Sequence, residues 1–193
     1  LKRKTMALFA LVGTLLWQTA FTQVGVIIIS AFFGFLLFKQ HHKSDETQLE
    51  FPISRRFAVI CLAIFFGLLI LLPIIREVTA LNWIAVFDSF YRSGSLVFGG
   101  GHVVLPLLER EFVSTGWLSE EAFLAGYGAA QAVPGPLFTF AAYLGAVMNG
   151  WQGGLLATVA IFLPAFLLVV GTFPFWNTLR QNPHLRGAIM GAN

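Results

Sequence analysis

Two short stretches that shape the backbone suggest the chemistry of this sequence. Three consecutive glycines occupy positions 99–101, and a Pro-Gly-Pro triplet occupies positions 134–136. Glycine lets a ligand approach the main chain closely, and each proline removes an amide donor and ends a preceding helix. A helix that begins after such a break presents unpaired amide donors and the positive end of its dipole. The two stretches therefore predict an anion site.

Polar side chains next to the two breaks could assist such a site. Gln131 and Thr139 flank the second break, and each could donate a hydrogen bond to a ligand oxygen. His102 and Glu109 are seven residues apart, so in a continuous helix they share a face and lie about 10 Å apart along the axis. Such a pair could relay protons. The alternative for Glu109 is an interfacial carboxylate beside Arg110, and the sequence leaves both interpretations open.

An arginine precedes the first break on an amphipathic segment. Asp88 and Arg92 are spaced i, i+4, which allows an intrahelical ion pair at the membrane surface. Alternatively, Arg92 faces a polar cavity, because ionisable residues at membrane depth usually line a pathway. The spacing fits either arrangement.

The composition indicates that these residues lie in a membrane protein. Hydrophobic residues make up 57% and charged residues 11% of the chain, whereas charged residues are about 25% of soluble domains. Residues 5–38, 57–75, 93–108 and 122–179 carry no charge, and about 20 apolar residues span a bilayer. We expect an all-α polytopic membrane protein with discontinuous helices, as in secondary transporters. The alternative is that the glycines allow close helix packing and the prolines only kink helices.

Several other classes of function find no support in the sequence. Cys61 is the single cysteine, which excludes a disulfide within the chain and a thiolate metal site. The G-x-S-x-G, H-E-x-x-H and Walker motifs are absent, so we expect neither an enzyme nor a cofactor or metal. The chain has a net charge of +3. In a membrane protein, Lys and Arg usually mark cytoplasmic loops, so this charge does not indicate nucleic-acid binding.

Local signals divide the chain into helices. We predict a spanning helix at 57–75, an amphipathic segment at 84–97, and a helix at 103–112. Ser119 followed by two glutamates predicts the N-cap of a helix at 120–133. A further helix is expected from Pro136 to about Met148, then a turn at 149–154 and a second span at 155–175. Residues 1–38 form one tilted helix or a shallow hairpin, and residues 39–56 form a polar, cytoplasmic linker.

The chain resembles the chromate ion transporter family. The resemblance rests on YRSGSLVFGGGHVVLPLLEREFV (91–113), WLSEEAFLAGYGAAQAVPGPLFTFAAYLGAVMNG (117–150) and IFLPAFLLV (161–169). Members of this family often carry two homologous halves, and the pattern here is similar to the second. The resemblance implies that residues 1–38 end a first half, 39–56 link the halves, and 57–193 form a truncated second membrane domain.

The resemblance also implies a function. It implies a secondary transporter, a multi-pass protein of the bacterial inner membrane, that exports chromate. A sulfate or general oxyanion carrier, a channel and a structural membrane protein are the alternatives, since sulfate fits the same anion site. The expected partners are the oxyanion, the lipid bilayer and the missing first half or a second copy in a homodimer. Carried over by position, the expected site residues are Arg92, Gly99, Gly100, Gly101, His102, Gln131, Pro134, Gly135 and Pro136. Thr139 joins them as a hydrogen-bond donor beside the second break, and Glu109 is the proton-coupling candidate.

Overall fold

The computed structural model describes residues 25, 28–33, 53–79, 81–97, 101–133 and 135–176, and within these ranges the chain forms helices and turns. The all-α prediction is confirmed. The chain divides into a unit of residues 59–171 and a second unit of residues 1–58 and 172–193; the description below concerns the first. The helices are α1 (Arg55–Thr79), α2 (Asn82–Leu96), α3 (Gly101–Phe112), α4 (Glu120–Ala132) and α5 (Thr139–Thr172), followed by a 3₁₀ turn at Phe173–Phe175.

Two of these segments are long and apolar enough to cross a membrane. They are α1, with a mean hydropathy of 3.1 over its best window, and Thr139–Phe175, with a mean hydropathy of 2.4. The predicted spanning helix at 57–75 lies within α1. Its proline, Pro73, is close to the C-terminal end of the helix.

Helix α5 consists of two helices joined at a sharp turn. Asn149 (φ −139°, ψ 31°) and Gly150 (φ 62°, ψ −158°) are not helical, and the positive φ of Gly150 is one that residues with a side chain rarely adopt. We call residues 139–148 α5a and residues 151–172 α5b. The turn is shorter than the predicted 149–154, because Gly153 and Gly154 belong to α5b. A Cβ atom on Gly153 would overlap the carbonyl oxygen of Gly145, so this glycine allows the two helices to touch.

Helices α2 and α3 form an antiparallel hairpin. The hydroxyl of Ser89 donates to a carboxylate oxygen of Glu111 at 2.8 Å, and the rings of Phe90 and Phe112 lie 4.4 Å apart between centroids. These contacts join the middle of α2 to the end of α3. Val97 closes α2 in an extended conformation (φ −83°, ψ 104°). The chain therefore reverses direction at the glycine-rich break, and we call this pair the first hairpin.

Helices α4 and α5a form a second antiparallel hairpin. The hydroxyl of Tyr143 donates to the carbonyl oxygen of Ala122 at 3.2 Å, and the ring of Tyr143 covers Gly126 so closely that a Cβ atom there would overlap it. Nearer the break, the rings of Phe123 and Phe140 lie 5.0 Å apart. The second break is thus also the tip of a hairpin, which we call the second hairpin.

The ends of the second hairpin follow from local sequence. The hydroxyl oxygen of Ser119 accepts a hydrogen bond from the amide of Ala122 at 3.2 Å, which confirms the predicted N-cap. Val133 is extended (φ −94°, ψ 124°) and ends α4 within one residue of the predicted position. Helix α5a begins at Thr139 rather than Pro136, because the amides of residues 139–141 bond to carbonyl oxygens three residues back, each at 3.0 Å. Such bonds form a tighter turn than an α-helix.

Two apolar clusters hold the helices of this unit together. The first lies among both hairpins and α5b, and the second joins α1, α2 and α5b. The buried Cys61 belongs to the second cluster, as expected for a packing residue. There the hydroxyl of Tyr91 donates to the carbonyl oxygen of Phe65 at 3.0 Å. Helices α2 and α5b approach most closely where Gly94 meets the main chain of Ile161.

Changing Gly94 to alanine is expected to destabilise the protein by about 1 to 3 kcal/mol, because the new methyl group would overlap the carbonyl oxygen of Ile161. Gly67→Ala is the matched control, since Gly67 is also helical and a Cβ there meets nothing within 4 Å. That variant should be neutral or up to about 1 kcal/mol more stable, because alanine favours helix. Thermal unfolding in detergent measures both, and equal stability of the two variants would contradict the close contact.

Candidate functional site

Both hairpins are too short for their arms to cross a membrane. Helices α2, α3 and α4 contain 15, 12 and 13 residues, which gives lengths of about 18 to 23 Å. The hydrocarbon core is about 30 Å thick. Arg76, in the last turn of the spanning helix α1, contacts Asp88 and Glu111, so the base of the first hairpin is level with that end of α1. The described end of α2 at Val97 is about 10 to 15 Å further along.

Each tip contains the N-terminal end of a helix. Helix α3 begins at Gly101 after the first break, and α5a begins at Thr139 after the second. At the second tip, the amide and the hydroxyl of Thr139 both donate to the carbonyl oxygen of Pro136 at 3.0 Å. The Thr139 amide is therefore occupied, and the amides of Leu137 and Phe138 precede it in the turn.

The other predicted site residues are described to different extents. Gly135, Pro136 and Gln131 are exposed at the second tip, and Nε2 of Gln131 donates to the hydroxyl of Tyr127 at 2.7 Å. Glu109 is exposed on α3. Gly99, Gly100 and Pro134 lie outside the described residues. Gly101 and His102 belong to α3, but only their backbone is described.

The predicted meeting of the two breaks in space stays a prediction. The described residues that flank the two breaks pack against the same apolar cluster. Val97, just before the first break, packs against the first cluster, and so do Ala130 and Phe138 on either side of the second. The described flanks of both breaks therefore border one group of buried side chains.

A network of charged side chains lies at the base of the first hairpin. Arg92 forms an ion pair with Asp88. This is the intrahelical pair that one interpretation of the i, i+4 spacing predicted. Asp88, however, is only 1% exposed, so the carboxylate of this pair is buried while the Arg92 side chain remains partly exposed. Nη1 of Arg76 lies 3.3 Å from Oδ2 of Asp88 and 3.8 Å from Oε2 of Glu111. Two arginines and two carboxylates thus balance each other across α1, α2 and α3.

The guanidinium of Arg92 is incompletely paired. Its Nε is buried and has no hydrogen-bond partner among the described residues, while the side chain as a whole is 34% exposed. A buried donor without a partner costs about 1 to 3 kcal/mol. This group could therefore gain from an additional oxygen acceptor, which keeps the cavity-facing interpretation of Arg92 open.

Sequence reasoning missed two members of this network, Arg76 and Glu111. In the sequence-based prediction, Glu109 is the candidate carboxylate, and Arg76 and Glu111 have no functional role. The helical period of α3 does indicate that Glu111 faces the interior. Val104 and Leu108 are fully buried on α3, and Glu111 follows them at i+7 and i+3, on the same face. Glu109 lies on the exposed side.

Metal chemistry finds no support in the described part of the chain. No group of three or more His, Cys, Asp or Glu side chains there could hold a metal ion.

Comparison with known proteins gives the family. A family model described as chromate transporter matches residues 84–193, which is more than half of the chain. The chain belongs to the chromate transporter family. As a chromate transporter family member it is a membrane protein of an ion-transporter family, consistent with its two apolar helices.

Relatives of this chromate transporter family member differ in length. It is 25% identical over 178 residues to an uncharacterized transporter of Methanocaldococcus jannaschii, covering 89% of this chain and 43% of that protein. It is 31% identical over 106 residues to the chromate transport protein of Pseudomonas aeruginosa (55% and 26%), and 35% identical over 106 residues to the uncharacterized transporter YwrA of Bacillus subtilis (54% and 60%). The chain spans less than half the length of the first two. No solved structure matches it.

Proposed function

We propose that this chain is a membrane unit of a secondary transporter for a tetrahedral oxyanion, with chromate as the first candidate. The observation that carries the proposal is the pair of hairpins, whose arms are too short to cross a membrane and whose tips each contain a helix N-terminus. Broken backbone at membrane depth must be buried in protein or line a polar cavity. A helix N-terminus there favours an anion through its dipole and its amide donors.

The proposed anion site is formed by the two tips and by Arg92, which lies above Asp88 on α2 and about 7 to 8 Å from Val97 along the helix axis. It comprises Arg92, Gly99, Gly100, Gly101, His102, Gln131, Pro134, Gly135, Pro136 and Thr139. The unpartnered Nε of Arg92 supports its inclusion, and the exposure of Gly135 and Pro136 supports theirs. Glu109 remains the candidate for proton coupling, and its exposed position on α3 leaves it open to water.

The substrate is proposed from the relatives and from the chemistry of the site. The matched proteins of Pseudomonas aeruginosa and Synechococcus elongatus carry the names chromate transport protein and probable chromate transport protein. Sulfate has the same charge and shape as chromate, so it is the second candidate. We propose chromate efflux through a multi-pass protein of the bacterial inner membrane, in which residues 57–193 form one domain, 39–56 a linker and 1–38 the end of a preceding domain. The transport itself requires no enzymatic step.

Uptake of chromate into inverted membrane vesicles tests the site. In the whole protein, Arg92→Gln should lower uptake about tenfold to a hundredfold, because a charged hydrogen bond contributes about 1.5 to 3 kcal/mol. Arg92→Lys, which keeps the charge, should retain more of it. Gly100→Val and Pro134→Ala should each reduce uptake and chromate resistance. Unchanged chromate uptake in Arg92→Gln, Gly100→Val and Pro134→Ala would exclude this site. Sulfate uptake is measured in the same vesicles, and variants that lose sulfate uptake but keep chromate uptake would make sulfate the substrate.

A further inference from the structure

The carboxylate of Asp88 is shared by two arginines at the base of the first hairpin. Asp88 is buried, and its Oδ2 atom contacts Nη2 of Arg92 on the same helix. The same oxygen lies 3.3 Å from Nη1 of Arg76 on α1. A buried carboxylate without a positive partner is strongly destabilising. Asp88 therefore requires one arginine beside it, and it has two.

The two arginines are held to different extents. Nη1 of Arg76 also donates to the hydroxyl oxygen of Ser89 at 3.3 Å and lies 3.8 Å from Oε2 of Glu111. Arg76 is thus tied to α2 and to α3. Arg92 donates to Asp88, and within the described part of the chain its buried Nε has no partner. Arg92 is therefore the arginine that leaves Asp88 more easily.

An anion reaches the buried Nε of Arg92 only if the side chain turns. The Arg92 side chain is 34% exposed and that of Asp88 only 2%, so an approaching anion meets the arginine and not the carboxylate. Turning toward the anion moves the guanidinium away from Asp88 and breaks their contact. Asp88 still has Arg76 as a partner, which avoids the cost of an unpaired buried charge.

We propose that Asp88 and Arg76 are positioning residues that regulate the anion site through Arg92. Asp88 binds Arg92 in the unloaded state and so competes with the anion for it, and Arg76 keeps Asp88 paired when Arg92 turns to the anion. The apparent affinity for the anion is lowered according to the fraction of molecules in which Asp88 holds Arg92. This inference rests on the proposed oxyanion site and adds the regulation of that site.

The KM for chromate, taken from initial uptake into inverted vesicles that contain the whole protein, tests this competition. Asp88→Asn should lower KM about fivefold or more, because the neutral amide releases Arg92. Arg76→Gln should raise KM by about the same factor, because Asp88 then has Arg92 as its arginine partner and holds it. A purely structural role reduces the amount of folded protein in both variants and leaves KM unchanged. Unchanged KM values, or shifts in the same direction, would overturn the proposal.

Glu111→Gln is the matched control for net charge. It removes one negative charge from the same network, as Asp88→Asn does, but Glu111 contacts Arg76 and Ser89 rather than Arg92. Its KM should change by less than about twofold, because interactions between partly exposed charges are weak. If Glu111→Gln lowers KM as much as Asp88→Asn does, the overall charge explains the shift and the proposal is wrong.

Two further variants separate this proposal from the proposed anion site. Arg92→Gln should raise KM; if it does not, the anion site itself is wrong. If it does, and Asp88→Asn and Arg76→Gln do not shift KM in opposite directions, only the competition is wrong. Arg76→Lys keeps the charge and should return KM toward that of the unmodified protein. If Asp88→Asn does not fold, Arg76→Gln and Arg76→Lys decide the outcome, and equal KM values in these two variants would contradict the proposal.

Discussion

Asp88→Asn is expected to lower the free energy of unfolding by about 2 to 3 kcal/mol, because it leaves two arginines beside a single carboxylate. Asp88 is buried and pairs with both Arg76 and Arg92. The two arginine side chains are 28% and 34% exposed, and water at these side chains keeps the loss below that of a fully buried pair. Unfolding in mixed detergent micelles measures the change.

Two carboxylates of α3 provide the controls for this measurement. Glu109 is exposed, and Glu109→Gln should change the free energy of unfolding by no more than about 0.5 kcal/mol. Glu111 accepts a hydrogen bond from Ser89 and lies 3.8 Å from Arg76, so Glu111→Gln should cost about 1 kcal/mol. If Asp88→Asn is as harmless as Glu109→Gln, the network does not hold the first hairpin to α1.

Local rules in the sequence predicted most of the helix ends. Charge-free length indicated α1, the hydroxyl of Ser119 indicated the start of α4, and the glycine and proline clusters indicated where α2 and α4 stop. Each of these signals depends on a residue's own backbone preference or on a hydrogen bond within one turn. They therefore remain readable without knowledge of the tertiary fold.

The sequence did not predict that the chain reverses at both breaks. A run of glycines permits many directions, and only contacts such as Phe90 with Phe112, or Tyr143 with Ala122, determine one. The same limit applies to Gly153, which was assigned to a turn although it lies at a helix contact. Glycine serves both purposes, and a single sequence does not separate them.

The candidate site was predictable only in part, because some of its residues are brought together by tertiary contacts. Backbone rules located the two breaks, and the i, i+4 spacing indicated the pair of Arg92 with Asp88, but the other members of the network, Arg76 and Glu111, lie on helices that are distant in sequence. Arg76 and Glu111 each resembled an ordinary charge at the end of an apolar segment. Arg76 contacts both Asp88 and Glu111 because of how α1, α2 and α3 pack, which no local spacing encodes.

Thr139→Asp is expected to reduce chromate uptake about tenfold or more while leaving the fold intact. Thr139 is exposed at the start of α5a, and a carboxylate at a helix N-terminus usually stabilises the helix by about 0.3 to 1 kcal/mol. The same charge would repel a dianion from the amides of the second tip. A merely structural role for the tip predicts the opposite pattern, with uptake unchanged or improved along with stability. Uptake into inverted vesicles and thermal unfolding in detergent, measured on the same preparation, distinguish the two.

Thr139→Asn is the matched control, because asparagine has nearly the shape of aspartate and also caps helices well, but carries no charge. It should retain most of the uptake. The difference between the two variants isolates the effect of the charge, since both replace the hydroxyl that bonds to Pro136. If Thr139→Asp transports chromate as well as Thr139→Asn does, the anion does not approach the N-terminus of α5a. The site would then have to be sought at Arg92 and the first hairpin alone, where the unpartnered Nε offers the remaining donor.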